Sequence, residues 1–195
     1  MGATFWNTET LEPKRQFRFL LTISAVGEVG SAATFACRSV TMPNATLDST
    51  SHKFLNHTFK YPNRVVWNPI SVVLVDTAQP DMGAEIYKVL QRSGYNVPES
   101  AKAAAKNISK AAAARSFGQI IIRHLGAPAP AGGGVPKVIS PNANVLSEWT
   151  LHNPFINGTI DFGGDLNYEN DGLLEVKFDI DYDYAIQTAG GSLRL

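Results

Sequence analysis

Residues 174–185 read LEVKFDIDYDYA. Leu174, Val176, Phe178, Ile180, Tyr182 and Tyr184 alternate with Glu175, Lys177, Asp179, Asp181 and Asp183. Side chains along a strand point to opposite faces with period two, so this spacing predicts a strand with one buried and one exposed face. Val176, Phe178, Ile180, Tyr182 and Tyr184 are expected to face a core. Glu175, Asp179, Asp181 and Asp183 form an acidic row on the other side, interrupted by Lys177. The functional question is what that row faces: bulk water, a metal ion, a substrate, or something the protein must not hold.

The same period recurs upstream. RQFRFLLTIS (15–24) reads as a strand, VGEVGS turns the chain, and AATFACRSVTM returns as the second arm of a β-hairpin that ends at Pro43. RVVWNPISVVLVD (64–76) reads as a strand interrupted by Pro69, which marks a bulge or an edge. Between them, residues 44–63 are polar and aromatic, an extended arm or long hairpin carrying Phe54, Leu55 and Phe59. GQIIIRH (118–124) and LSEWTLHNPFINGTIDF (146–162) are strand-like, and separated by the Gly/Pro loop GAPAPAGGGVP (126–136). Two stretches have helical spacing instead. DMGAEIYKVLQRSG (81–94) places Met82, Ile86, Val89 and Leu90 on one stripe, with Asp81 as cap and Gly94 as stop. Residues 99–115, ESAKAAAKNISKAAAAR, are rich in Ala and Lys and of high helix propensity. Their Lys102, Lys106 and Lys110 share one face, either a solvated face or a docking surface for an acidic partner.

Strands dominate and the helices cluster mid-chain without βαβ alternation. The expected fold is α+β, mainly β: one domain over residues 1–195, an antiparallel sandwich or barrel of about six to eight strands with one or two flanking helices. Residues 1–14 form an N-terminal arm with Phe5 and Trp6, and residues 186–195 a C-terminal tail.

Formal net charge is zero, which argues against a general polyanion binder. The balance hides a split: residues 1–144 carry 15 basic and 8 acidic side chains, residues 145–195 carry 2 and 9. Such a split favours self-association, because one surface can complement another on the next copy. Cys37 is the single cysteine, read as a small buried side chain in a reducing compartment. None of His52, His57, His124 or His152 stands in a motif that would make Cys37 a nucleophile. Glu9, Glu12 and Pro13 replace the apolar core of a signal peptide, no run is long enough to span a bilayer, and the sequons at Asn44, Asn56, Asn107 and Asn157 read as turn chemistry.

Catalytic and metal readings fail on spacing. In DIDYDY, Asp179, Asp181 and Asp183 occupy the first ligand positions of a calcium loop, but Tyr184 replaces the turning Gly and Gly190 replaces the closing Glu. In NYENDG the closing position is Phe178. A row of acids on an exposed face stays ionised rather than dividing into acid and base. No phosphate loop or nucleophile elbow is present, and Trp6, Trp67 and Trp149 read as core or interface residues. The expectation is a protein that is not an enzyme and holds neither cofactor nor metal.

FRFLLTIS, TFACRSVTMP, RVVWNPISVVLVD with the helix of AEIYKVL, and HNPFINGTIDFGGDLNYENDGLLEVKFDIDYDYA occur in an order that resembles the tail tube protein of contractile-tailed bacteriophages, over most of residues 15–185. The 99–115 and 126–136 segments look longer than in compact members, which leaves open a tube-initiating, tube-terminating or baseplate relative. The resemblance implies hexameric rings whose sheets join into an inner barrel and stack into a hollow tube, similar to Hcp-type tubes. The implied partners are the chain itself, a contractile sheath, baseplate and terminator proteins, and passing DNA held without specificity, with no membrane. The implied location is the virion tail, assembled in the host bacterial cytoplasm. In that setting Glu175, Asp179, Asp181 and Asp183 are expected to line the lumen, since an anionic wall keeps DNA mobile. The alternative is that this face looks outward. Phe5, Trp6, Phe54, Leu55 and Phe59 are expected to mediate ring stacking. A carbohydrate- or ion-binding β-sandwich module is the rival of another class.

Overall fold

The structure is a computed structural model, and residues 14–24, 34, 36–100, 105, 107–126, 145–169 and 171–189 are described. Phe5, Trp6, Lys102, Lys106, nearly all of the Gly/Pro loop and most of the C-terminal tail lie outside them. The described residues form ten strands and two helices. The strands are β1 (Phe19–Ile23), β2 (Cys37–Val40), β3 (Asn44–Phe54), β4 (His57–Asn68), β5 (Ile70–Val75), β6 (Ile120–Leu125), β7 (Val145–His152), β8 (Phe155–Asp161), β9 (Glu175–Asp181) and β10 (Tyr184–Ala189). The helices are α1 (Met82–Arg92) and α2 (Lys110–Phe117).

Two four-stranded antiparallel sheets, ordered β1-β6-β7-β10 and β2-β5-β9-β8, pack as a sandwich, and β3 and β4 form a separate two-stranded hairpin. The fold is mainly β, with no closed barrel. Leu21, Ile23, Ile120, Ile122 and Leu151 come from the first sheet, and Ile70, Val72, Leu74, Val176, Phe178 and Ile180 from the second. They share one core with Met82, Ile86 and Val89 of α1 and Phe117 of α2. Burial of each such side chain contributes about 1.5–3 kcal/mol. The Phe117 and Phe178 rings lie 6.4 Å apart, locking α2 onto β9.

Local chemistry explains the helix ends. Asp81 accepts from the Ala84 backbone N–H at 2.7 Å, and Asp76 accepts from Met82 at 2.9 Å, so two otherwise orphaned donors of α1 are satisfied. Ser109 caps α2 through the Ala112 N–H. The Ser93 and Ser116 hydroxyls, 2.9 Å apart, tie the helices together. Gly118, at φ +67°, ends α2 where a Cβ would stand 2.6 Å from the Ser24 carbonyl, so only glycine fits.

Four expectations change. The first two strands are not a hairpin: β1 pairs with β6 and β2 with β5, so the chain crosses from one sheet to the other between them. Pro69 is neither bulge nor edge within one strand, but the corner between β4 in the hairpin and β5 in the sandwich. The 174–185 run also breaks, at Tyr182 and Asp183, sending β10 to the opposite sheet. These corners raise the strand number above the expected six to eight. Finally, the Ala/Lys-rich helix expected over 99–115 begins at Lys110, and the described residues among 99–109 are not helical. Ser109 uses its side chain as a cap, and the Asn107 carbonyl lies 2.9 Å from the position a Cβ on Gly94 would take. Capping and close packing thus outweigh alanine's propensity.

Candidate assembly surfaces

The acidic row is built on β9, with Val176, Phe178 and Ile180 buried beneath it. Glu175, Lys177, Asp179 and Asp181 share the outer face of the second sheet, where Asp179 stands between Ser71 of β5 and Asn157 of β8. Opposite charge reaches this face. Glu175 is paired with Arg38 and lies 3.5 Å from Lys177, so the basic residue within the row is held by an acid of the same strand. Asp181 accepts from the Asn157 amide at 2.8 Å, while Asp179 is exposed.

Asp183 lies beyond the end of β9, in the corner. It accepts from Lys110 Nζ at 2.6 Å and from the Asn153 amide at 2.8 Å. The Lys110 hydrogen bond, followed by that from Asn153, holds its carboxyl below the ordinary value of 3.8. Lys110 of the expected docking face is thus engaged with an acid of its own chain. Tyr184, expected in the core, is 45% exposed past the corner, where its ring stacks on His152 at 4.6 Å.

The hairpin is the other unusual surface. Its two strands, roughly 35 Å long by the rise of a β-strand, are exposed along almost their whole length. Thr50 faces Tyr61, His52 faces Phe59 and Phe54 faces His57, so these six side chains share one face of the distal half. Phe54 is 61% exposed, Tyr61 56% and Leu55, at the turn with φ +51°, 89%. The base is anchored by Trp67, whose ring lies 5.8 Å from Tyr182 and 6.4 Å from Trp149. Burial pushes the Tyr182 phenol up, against a smaller opposing effect of a hydrogen bond with the Asn44 backbone.

Sequence reasoning missed the connection from β8 to β9. Its Leu166 is 85% exposed, Leu173 72%, and Tyr168 fully exposed. Asp161 fixes the start by accepting from the Gly163 and Gly164 N–H groups, and a Cβ on Gly163 would meet Leu174 at 2.8 Å. The available signal is DLNYENDGLL (165–174), where Leu166, Tyr168 and Leu173 stand among Asp165, Glu169 and Asp171 without a strand or helix period.

Burial pushes the half-buried Cys37 thiol up to about 11, which keeps it protonated and poorly nucleophilic. Among the described residues no group of three His, Cys, Asp or Glu is placed to hold a metal ion, and no helix is long and apolar enough to cross a membrane.

No protein-family model matches the sequence, nor does any curated protein. Solved structures do match in fold. A chain of the extended sheath–tube complex of the PVC extracellular contractile injection system superposes with a TM-score of 0.62 at 13% identity, covering 96% of this chain and 99% of that one. A chain of the anti-feeding prophage tube-terminating cap gives 0.60 at 13% identity, covering 91% and 92%. A chain of the anti-feeding prophage baseplate gives 0.58 at 12% identity, covering 92% and 97%. The fold is therefore one found in tube, terminator and baseplate assemblies of contractile injection systems.

Proposed function

We propose that this chain is a structural subunit of a contractile tail, assembling into hexameric rings that stack into the hollow inner tube through which a genome passes. The observation that carries the reading is the long hairpin. An isolated two-stranded hairpin is marginal in water, yet this one leaves Leu47, Phe54, Phe59, Tyr61 and Val65 between 45% and 61% exposed. A protein that keeps such a surface uncovered in the single subunit has a partner for it. Among the described residues β1 and β10, β2 and β8 are the edge strands of the two sheets, and edge strands offer backbone groups that a ring neighbour satisfies.

In this assembly the outer face of β9 lines the lumen. Glu175 is neutralised by Arg38 and Lys177, so Asp179 and Asp181 are the acids that repel DNA, whose phosphates would bind a cationic wall. Asp183 serves a corner rather than the wall. Replacing both Asp179 and Asp181 with Lys leaves tubes intact but slows genome release and makes it salt-sensitive; unchanged release at low salt would remove the lumen assignment.

The likeness in fold to cap and baseplate chains favours a second reading, a tube-initiating, terminating or baseplate ring of the same tail. Negative-stain electron microscopy of concentrated protein separates the two, since a main tube subunit gives hollow tubes and a terminal component gives single rings. The sugar-binding alternative is disfavoured because Trp67 and Trp149 pack on each other rather than forming an open stacking platform.

A further inference from the structure

We infer that the exposed β8–β9 connection of one copy is the receptor for the β3–β4 hairpin of the next copy along the stack, an inference that rests on the tube reading. In the register of β5 with β9, Ile70 is opposite Ile180 and Val75 opposite Glu175. The hairpin joins the sandwich just before Ile70, and the β8–β9 connection just before Glu175. They leave opposite ends of the same sheet, about 17 Å apart by strand rise. Above its base at Trp67 and Asn68 the hairpin is exposed on both strands, so among the described residues it does not fold back along its own sandwich. A contact between unlike surfaces at opposite ends is heterologous, and repeats as a stack rather than closing as a dimer.

Chemistry matches the placement. The connection presents Leu166, Tyr168 and Leu173, and the hairpin tip presents Phe54, Leu55 and Phe59. Each surface is apolar and exposed among the described residues. Their charges are opposite. The hairpin carries Lys53, Lys60 and Arg64 against Asp48, with Lys53 and Lys60 on the face opposite Phe54 and Phe59, so that both faces of its distal half would be engaged, while residues 162–174 carry Asp165, Glu169 and Asp171 with no Lys or Arg. None of these seven side chains makes an ion pair among the described residues. Two copies of the hairpin, or of the connection, repel each other, so the charges select the mixed contact and its direction.

The test is reversal of charge on each side. Lys53→Glu, Lys60→Glu and Arg64→Glu together, or Asp165→Lys, Glu169→Lys and Asp171→Lys together, lower the sedimenting polymer at least tenfold, with melting curves unchanged. Combining both sets in one chain restores polymer towards the wild-type amount. Cross-linking gives a second route: Leu55→Cys with Leu166→Cys in one chain yields a ladder of disulfide-linked oligomers on mild oxidation, whereas each variant alone stops at dimers. Polymerisation unaffected by reversal of the connection, failure of the combined set to restore it, or absence of the ladder in a wild-type-like polymer would overturn the pairing and leave the tube reading standing. A wild-type chain that forms no rings or tubes, even with purified tail baseplates, overturns the tube reading and the pairing with it.

Discussion

Strand β9 and the distal half of the β3–β4 hairpin each set apolar side chains on one face and meet opposite fates. Val176, Phe178 and Ile180 are at most 1% exposed, whereas Phe54, Phe59 and Tyr61 are 45–61% exposed. Both segments show a polar and an apolar face, because both are strands. In β9 the apolar face meets α2 and the first sheet across the core; in the distal half of the hairpin Phe54, Phe59 and Tyr61 stay exposed among the described residues. Alternation therefore specifies that a strand has two faces, and the rest of the assembly decides what covers the apolar one.

The contrast can be broken most forcefully at its buried end. Phe178→Ala empties a site packed against Phe117 and is expected to destabilise the subunit by about 3–5 kcal/mol, read as a lower urea midpoint. Phe59→Ser, on the exposed distal half of the hairpin, changes stability by no more than about 0.5 kcal/mol while abolishing polymer. Equal destabilisation by the two substitutions would mean that the hairpin is covered within the subunit.

Trp67 joins the two regions, so its removal sharpens the boundary between them. Trp67→Ala loses the packing against Tyr182 and Trp149 and is expected to cost about 2 kcal/mol, below the range for a fully buried ring because Trp67 is only half-buried. Hydrogen exchange rises in β3 and β4 and stays slow in β5 and β9. Uniform acceleration across all four strands would show that the hairpin base is part of the sandwich core.

The smallest effect belongs to the corner. Asp183 is stabilised in its charged form by Lys110 and Asn153, so its folded pKa lies below the ordinary 3.8. Its contribution is present above that ordinary value and is lost as pH falls through the depressed folded one. Lys110→Met reduces that loss, so between pH 5 and pH 2, roughly the carboxylate range, its melting temperature falls slightly less than that of the wild type. Parallel curves would remove the ion pair from the stability of the corner.

Much of the sandwich was legible from residues alone. The period of two placed Val176, Phe178 and Ile180 inward, and Asp81 marked the start of α1. Strand pairing was not legible, because VGEVGS between two strand-like runs is equally compatible with a hairpin and with a crossing between sheets. Nor were the corners at Pro69 and Tyr182, where alternation continues while the chain changes sheet. The acidic row could be read as a face, but its partial neutralisation required Arg38, distant in sequence, to come beside Glu175. The β8–β9 connection escaped notice since it lacks a period, and its exposure follows from tertiary structure.

Sedimentation velocity with electron microscopy, comparing the wild type with Phe54→Ser/Phe59→Ser/Tyr61→Ser, tests most directly whether another copy covers the hairpin. The expected result is rings or hollow tubes from the wild type and folded single subunits or isolated rings from the variant. Tubes of equal length from both, or a wild type that stays monomeric even with tail baseplates, would contradict it.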